Sequence, residues 1–180
     1  MCNAMVPVTR KVGMTQITAS RALFIKQGEG GRWEKSSIQG GEIRFGYQEI
    51  PHEICQSGNW EEARRIESKH CDNQGALARH INQVREFYTA DESVMWITFY
   101  AGRLWWCFAE SGVSGVENNE KVRKVKGQWH DMSAEGKTLW KREISGKLLA
   151  IEKFGAPSAM FLNLSTCYTK SMVLLSPMLK

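Results

Sequence analysis

The side chains in this sequence with most to offer a ligand are indoles. Val94-Met95-Trp96-Ile97-Thr98-Phe99-Tyr100 and Arg103-Leu104-Trp105-Trp106-Cys107-Phe108 are two β-rich runs separated by Ala101-Gly102. Successive side chains along a strand point to opposite faces. Across a two-residue turn, Phe99 pairs with Leu104, Ile97 with Trp106 and Met95 with Phe108, and that large apolar face belongs in a core. The other face carries Trp96, Thr98, Trp105 and Cys107. Two indoles beside a hydroxyl can hold a planar ring, and stacking a base on an aromatic side chain is worth about 1–3 kcal/mol whatever the base. Trp33 and Trp129 stand in glycine-flanked loops and can supply a further wall. Trp33, Trp96, Thr98, Trp105 and Trp129 are therefore the expected ligand-binding set. The competing expectation is that helices cover this face too, leaving Trp96 and Trp105 as core. A one-residue bulge at the turn would also exchange Trp105 and Trp106 between faces.

Charge supplies the second set. Lys121, Arg123, Lys124 and Lys126 put cations on both faces of one strand, read either as a strip for phosphates or as a solvated edge whose lysines deter pairing. Arg32 follows Gly28-Glu29-Gly30-Gly31 and is a further phosphate contact. That glycine run lacks the Gly-Lys-Ser/Thr ending of a P-loop and the spacing of a dinucleotide fingerprint, so it reads as a turn that positions Trp33, with no helix expected after it. The formal net charge of +5 permits a polyanionic partner without requiring one.

Catalysis finds little footing. His52-Glu53, His70, His80 and His130-Asp131 match no zinc-deaminase, His-Glu-x-x-His or Gly-x-Ser-x-Gly pattern. His130-Asp131 is the best remaining pair and carries the alternative of a small hydrolase or nuclease. The five cysteines include no Cys-x-x-Cys pair, so neither a metal centre nor a cofactor is expected.

These residues need elements to hold them. Ala22-Leu23-Phe24-Ile25 is a short apolar run fit for a buried strand, and Glu42–Tyr47 alternates like a half-buried one. Asn59 caps a charged helix from Trp60 to about Lys69. Asp72 or Asn73 caps a second, in which Leu77, Ile81, Val84 and Tyr88 form one apolar stripe. The hairpin follows, then a polar loop over 110–119 and the basic strand. A helix over Arg142–Phe154 and a strand over Ala159–Leu164 close the pattern. Segregated runs of this kind favour an α+β class, with a curved or barrel-like mixed β-sheet flanked by helices. Residues 1–19 are expected as a flexible arm and 20–180 as a single domain. Neither a secretory signal nor an 18-residue apolar run is visible, which points to a cytoplasmic protein without membrane association.

Several stretches look familiar together: Lys26-x-Gly28-Glu29-Gly30-Gly31-Arg32-Trp33-Glu34, Ile43–Tyr47, Trp96–Phe99, Leu104–Ala109 and Gly127-x-Trp129. Over about residues 20–155 they resemble an uncharacterised bacterial group found beside restriction and mobile-element functions. More loosely, the tryptophan-bearing strands are similar to PUA-like folds of the EVE and YTH type. That resemblance implies a pocket for a modified base, walled by some of Trp33, Trp96, Trp105 and Trp129. The expected function is a non-catalytic nucleic-acid-binding module. A protein-interaction or assembly module using exposed aromatics, with a partner protein or a second copy, is the other alternative.

Overall fold

The computed structural model describes residues 17–144, 149 and 160–162. The expected N-terminal arm lies almost wholly outside them, as does most of the helix expected over Arg142–Phe154. Where that helix should begin, Lys141–Glu143 forms a single 3-10 turn.

The class is mixed α+β, with two small sheets and four helices among the described residues. The first sheet has the order β4-β3-β1-β7, formed by β1 (Arg21–Phe24), β3 (Val94–Tyr100), β4 (Arg103–Phe108) and β7 (Met160–Leu162). β1 runs parallel to β3, and the other neighbours are antiparallel. The second sheet has the order β2-β6-β5, from β2 (Glu42–Phe45), β5 (Ser114–Gly115) and β6 (Lys121–Lys124). Past its C-terminal end β4 pairs once more, Ala109 with Val125, and Val125 N–H donates to Gly41 O at 2.9 Å. The two ladders are thus joined at one corner. They do not close into a barrel among the described residues.

The hairpin has the expected register. Phe99 faces Leu104, Ile97 faces Trp106, Met95 faces Phe108, and on the other side Thr98 faces Trp105 and Trp96 faces Cys107. Ala101 and Gly102 both have positive φ, 50° and 73°, the type I′ geometry that suits the twist of two adjoining strands. No bulge intervenes, so Trp105 and Trp106 keep their assigned faces.

β3 is buried on both faces, whereas β4 leaves Arg103, Trp105 and Phe108 partly exposed. Met95, Ile97, Phe99, Leu104 and Trp106 pack with Ala22, Phe24, Leu139 and Ile144. Trp96 and Cys107 pack with Leu23, Ile25, Ile43, Phe45 and the apolar stripe of α4 (Gln74–Thr89). Asn73 caps α4 by accepting from Ala76 N–H at 2.8 Å. Asn59 does the same for α3 (Trp60–Glu67) through Glu62 N–H at 3.2 Å.

Two helices were not expected. α2 (His52–Gln56) is a short connector. α1 (Glu34–Gly40) follows the glycine-rich turn directly and packs on β2 and β3. Its inward residue is Ser37 rather than a large apolar group, which is why hydrophobic periodicity gives no sign of it.

Candidate functional site

The basic strand is the largest departure from expectation. β6 is the central strand of its sheet, not an edge. Lys121 and Arg123 are almost fully inaccessible, at 0% and 1% exposure. Arg123 Nη1 donates to Phe87 O at 3.1 Å and Ala90 O at 2.8 Å, and its Nη2 to Glu110 O at 2.9 Å. The first two are carbonyls at the C-terminal end of α4, which have no helical N–H of their own to accept from. A cation there also meets the negative end of the helix dipole. Lys121 Nζ donates to Tyr47 O and Ile50 O, each at 2.6 Å, and to Asn119 O at 2.8 Å. It ties the turn before α2 to β6. Both charged ends are buried against backbone carbonyls, so the expected phosphate strip does not form. Lys124 is exposed, and Lys126 pairs with Glu92 at 3.0 Å.

Burial without a counter-ion gives Lys121 a titration signature. Desolvation holds its ammonium pKa down to about 8 from 10.5. Between those values the unfolded chain binds the extra proton, so stability rises with pH across the window. Burial pushes the Cys55 thiol and the Tyr88 phenol upward instead. They oppose unfolding less as pH passes their unfolded values of 9.0 and 10.0. Urea unfolding should therefore show stability climbing from pH 8 to about 9 and then declining. In Lys121→Met the climb should vanish; an unchanged profile would show that Lys121 does not titrate there.

The tryptophans divide into two groups. Trp96 is fully buried, with Phe87 of α4 edge-on at 5.6 Å and the Arg123 guanidinium 5.7 Å from its ring. It is core and offers no face to a ligand. Trp129 is 5% exposed, and its Nε1 donates to Glu42 O at 3.0 Å. Its neighbour His130 bridges to Trp106, so Trp129 lies beside β4 and not in a free loop. Both are corrections to the expected ligand set.

Trp33 and Trp105 are half-buried. Trp33 leads into α1, and its indole lies against Gly28, where a Cβ would come within 2.7 Å of the ring. Gly28 also has φ +78°, so the close approach and the backbone both require glycine. Arg32, exposed, holds its guanidinium 4.6 Å above the Trp33 ring. Trp105 is oriented by its Nε1 donating to Tyr100 O at 3.2 Å.

Three buried polar groups stand on the elements that carry or adjoin these indoles. Thr98, opposite Trp105, is fully buried with no hydrogen-bond partner for Oγ1. Ser37 Oγ, on the buried side of α1, is also unpartnered. So is Gln27 Nε2, although Gln27 Oε1 accepts from Arg44 N–H at 2.9 Å. Ile25 N–H donates to Ile97 O, which extends the β1–β3 pairing and brings Gln27 past Thr98 toward the hairpin turn. Buried polar atoms are nearly always hydrogen-bonded, so these three stand out, and Trp96 Nε1 on the same face of β3 as Thr98 is unpartnered as well. Gln27 and Ser37 escaped the sequence reading because a lone glutamine and serine carry no pattern.

The catalytic alternative loses its pair. His130 stacks on Trp106 at 4.5 Å, whereas Asp131 pairs with Arg103 at 2.5 Å. Trp106 and Arg103 lie on opposite faces of β4, so His130 and Asp131 diverge. Among the described residues no group of three His, Cys, Asp or Glu side chains could hold a metal ion. The only large hydrophobic residues more than about a third exposed among them are Val116 and Met132, neither aromatic. No helix there is long and apolar enough to cross a membrane. Comparisons with protein-family models, curated proteins and solved structures find no match to this chain.

Proposed function

We propose that this chain is a non-catalytic nucleic-acid-binding module that takes one extruded or modified base between Trp33 and Trp105. The observation that supports the reading is that Trp33 and Trp105 are half-buried while Thr98, opposite Trp105, and Ser37 and Gln27, on α1 and just before it, carry unpartnered polar atoms. A nucleobase is flat and aromatic, with hydrogen-bonding atoms confined to its rim. Indoles suit its faces, and buried hydroxyl and amide groups suit its edge. An aliphatic or purely ionic ligand would use only half of this chemistry. In this reading Arg32, whose guanidinium lies 4.6 Å from the Trp33 ring, meets the phosphate of the same nucleotide.

The architecture fits a curved, PUA-like arrangement in two respects. β4 passes from one ladder to the other through the Ala109–Val125 bridge, and the Gln27 side chain reaches across to the β2 backbone. A cytoplasmic setting accords with three described cysteines, Cys55, Cys71 and Cys107, that are free thiols.

Tryptophan fluorescence provides the test. Short single-stranded oligonucleotides carrying modified or unmodified bases should quench the emission at low salt, with saturation in the micromolar range. Trp105→Ala should weaken binding by roughly 5- to 150-fold, the affinity equivalent of losing one stacked base at about 1–3 kcal/mol. No quenching by any oligonucleotide at tens of micromolar would end the proposal.

A further inference from the structure

Trp140 is flanked by two guanidiniums. Arg103 stands 4.9 Å from its ring centroid and Arg142 5.3 Å. The backbone fixes this arrangement at the tip of the hairpin: Arg103 and Trp140 form an antiparallel bridge, and Lys141 N–H donates to Gly102 O at 2.9 Å. The segment 140–142 is strapped across the turn. Arg103 is further oriented by Asp131, at 2.5 Å. Arg142 is 77% exposed, and its contact with Glu143, at 3.5 Å between two well-exposed side chains, leaves it available to a competing anion.

Position gives this cluster its meaning. Arg103 and Trp105 share a face of β4, two residues apart, so the Arg-Trp-Arg cluster adjoins the half-buried indole of the candidate site. Arg32 on Trp33 repeats the guanidinium–indole pairing on the α1 side. A half-buried ring beside two cations combines a stacking surface with charge for phosphates, the pairing that binds single strands without regard to sequence.

We propose that Arg103, Trp140 and Arg142 bind the nucleotide flanking the base held between Trp33 and Trp105. The ligand is then a single-stranded segment, not a free nucleoside, and the cationic surface lies at the hairpin tip instead of on β6. This rests on the base-binding reading above. Arg142, the more exposed cation, leaves the Trp140 ring for a phosphate and the neighbouring base takes its place on the indole, while Arg103 contacts the phosphate on the other side.

Calorimetric titration of the whole chain with a nucleoside and with a pentanucleotide of the same base tests this. The pentanucleotide should bind at least about 10-fold more tightly. Arg142→Gln, at a side chain too exposed to matter for folding, should lower pentanucleotide affinity several-fold and flatten its log–log salt dependence by about 0.7, one single-strand phosphate. Trp140→Leu should lower it further, and nucleoside affinity should stay unchanged in both variants. A nucleoside that binds as tightly as the pentanucleotide would overturn this inference and leave the base-binding reading intact. So would pentanucleotide affinity and salt dependence that neither variant changes. Failure of both ligands to bind would overturn the two together.

Discussion

Arg123→Ala should destabilise the fold by about 3–5 kcal/mol, from two buried carbonyls and one partly buried carbonyl left unpaired at about 1–3 kcal/mol each, offset by partial collapse around the gap. A domain of this size has only about 5–15 kcal/mol in total, so the variant stands near the edge of folding. The loss falls on a junction: Phe87 O and Ala90 O end α4, and Glu110 O follows β4. Arg123→Lys should recover little, because one ammonium cannot span the positions that the two guanidinium nitrogens reach. Lys124→Ala, one residue along and exposed, should change stability by less than about 0.5 kcal/mol. Urea unfolding of the three variants measures this. Similar small effects at Arg123 and Lys124 would return the basic strand to the surface.

Trp96→Ala should cost about 3–5 kcal/mol, the range for emptying a large aromatic site from a packed core. Its ring contacts Phe87 and lies under Arg123, so the gap opens between α4 and both sheets. Trp105→Ala removes a side chain of the same size from the facing strand, but one already half-exposed, and should cost clearly less stability. The two variants should separate in function as well. Trp96→Phe, which retains the packing, should bind oligonucleotides like the parent, whereas Trp105→Ala should bind poorly while remaining folded. Thermal unfolding together with the fluorescence titration reads both effects. Equal loss of binding in Trp96→Phe and Trp105→Ala would contradict the assignment of Trp96 to the core.

The contrast between these two tryptophans shows where sequence reasoning stops. Period-two alternation and the Ala101-Gly102 turn are local, so the register and the partition of side chains between faces follow from them. What covers a face depends on α1 and α4, whose placement is a tertiary matter. α4 announces itself through Leu77, Ile81 and Val84, and its cap through Asn73. α1 is seven residues long, turns Ser37 inward and shows no stripe. The burial of Lys121 and Arg123 was hidden for another reason. Their stems are apolar enough to cross a core, and the carbonyls that receive their charged ends become visible only once α4 and the turn at Tyr47–Ile50 are in place. The proposed site was thus half legible: Trp33, Thr98 and Trp105 can be named from the sequence, Trp96 and Trp129 turn out to be buried, and Gln27, Ser37 and Trp140 emerge only from the fold.

The central claim is that a base enters between Trp33 and Trp105, and the indole N–H resonances test it residue by residue. Titrating the isotopically labelled chain with a single-stranded pentanucleotide should move the Trp33 and Trp105 signals in a saturable manner, with Trp140 following and Trp96 and Trp129 hardly changing. Movement confined to Trp140, or no saturable shift at Trp33 and Trp105 at millimolar oligonucleotide, would contradict it.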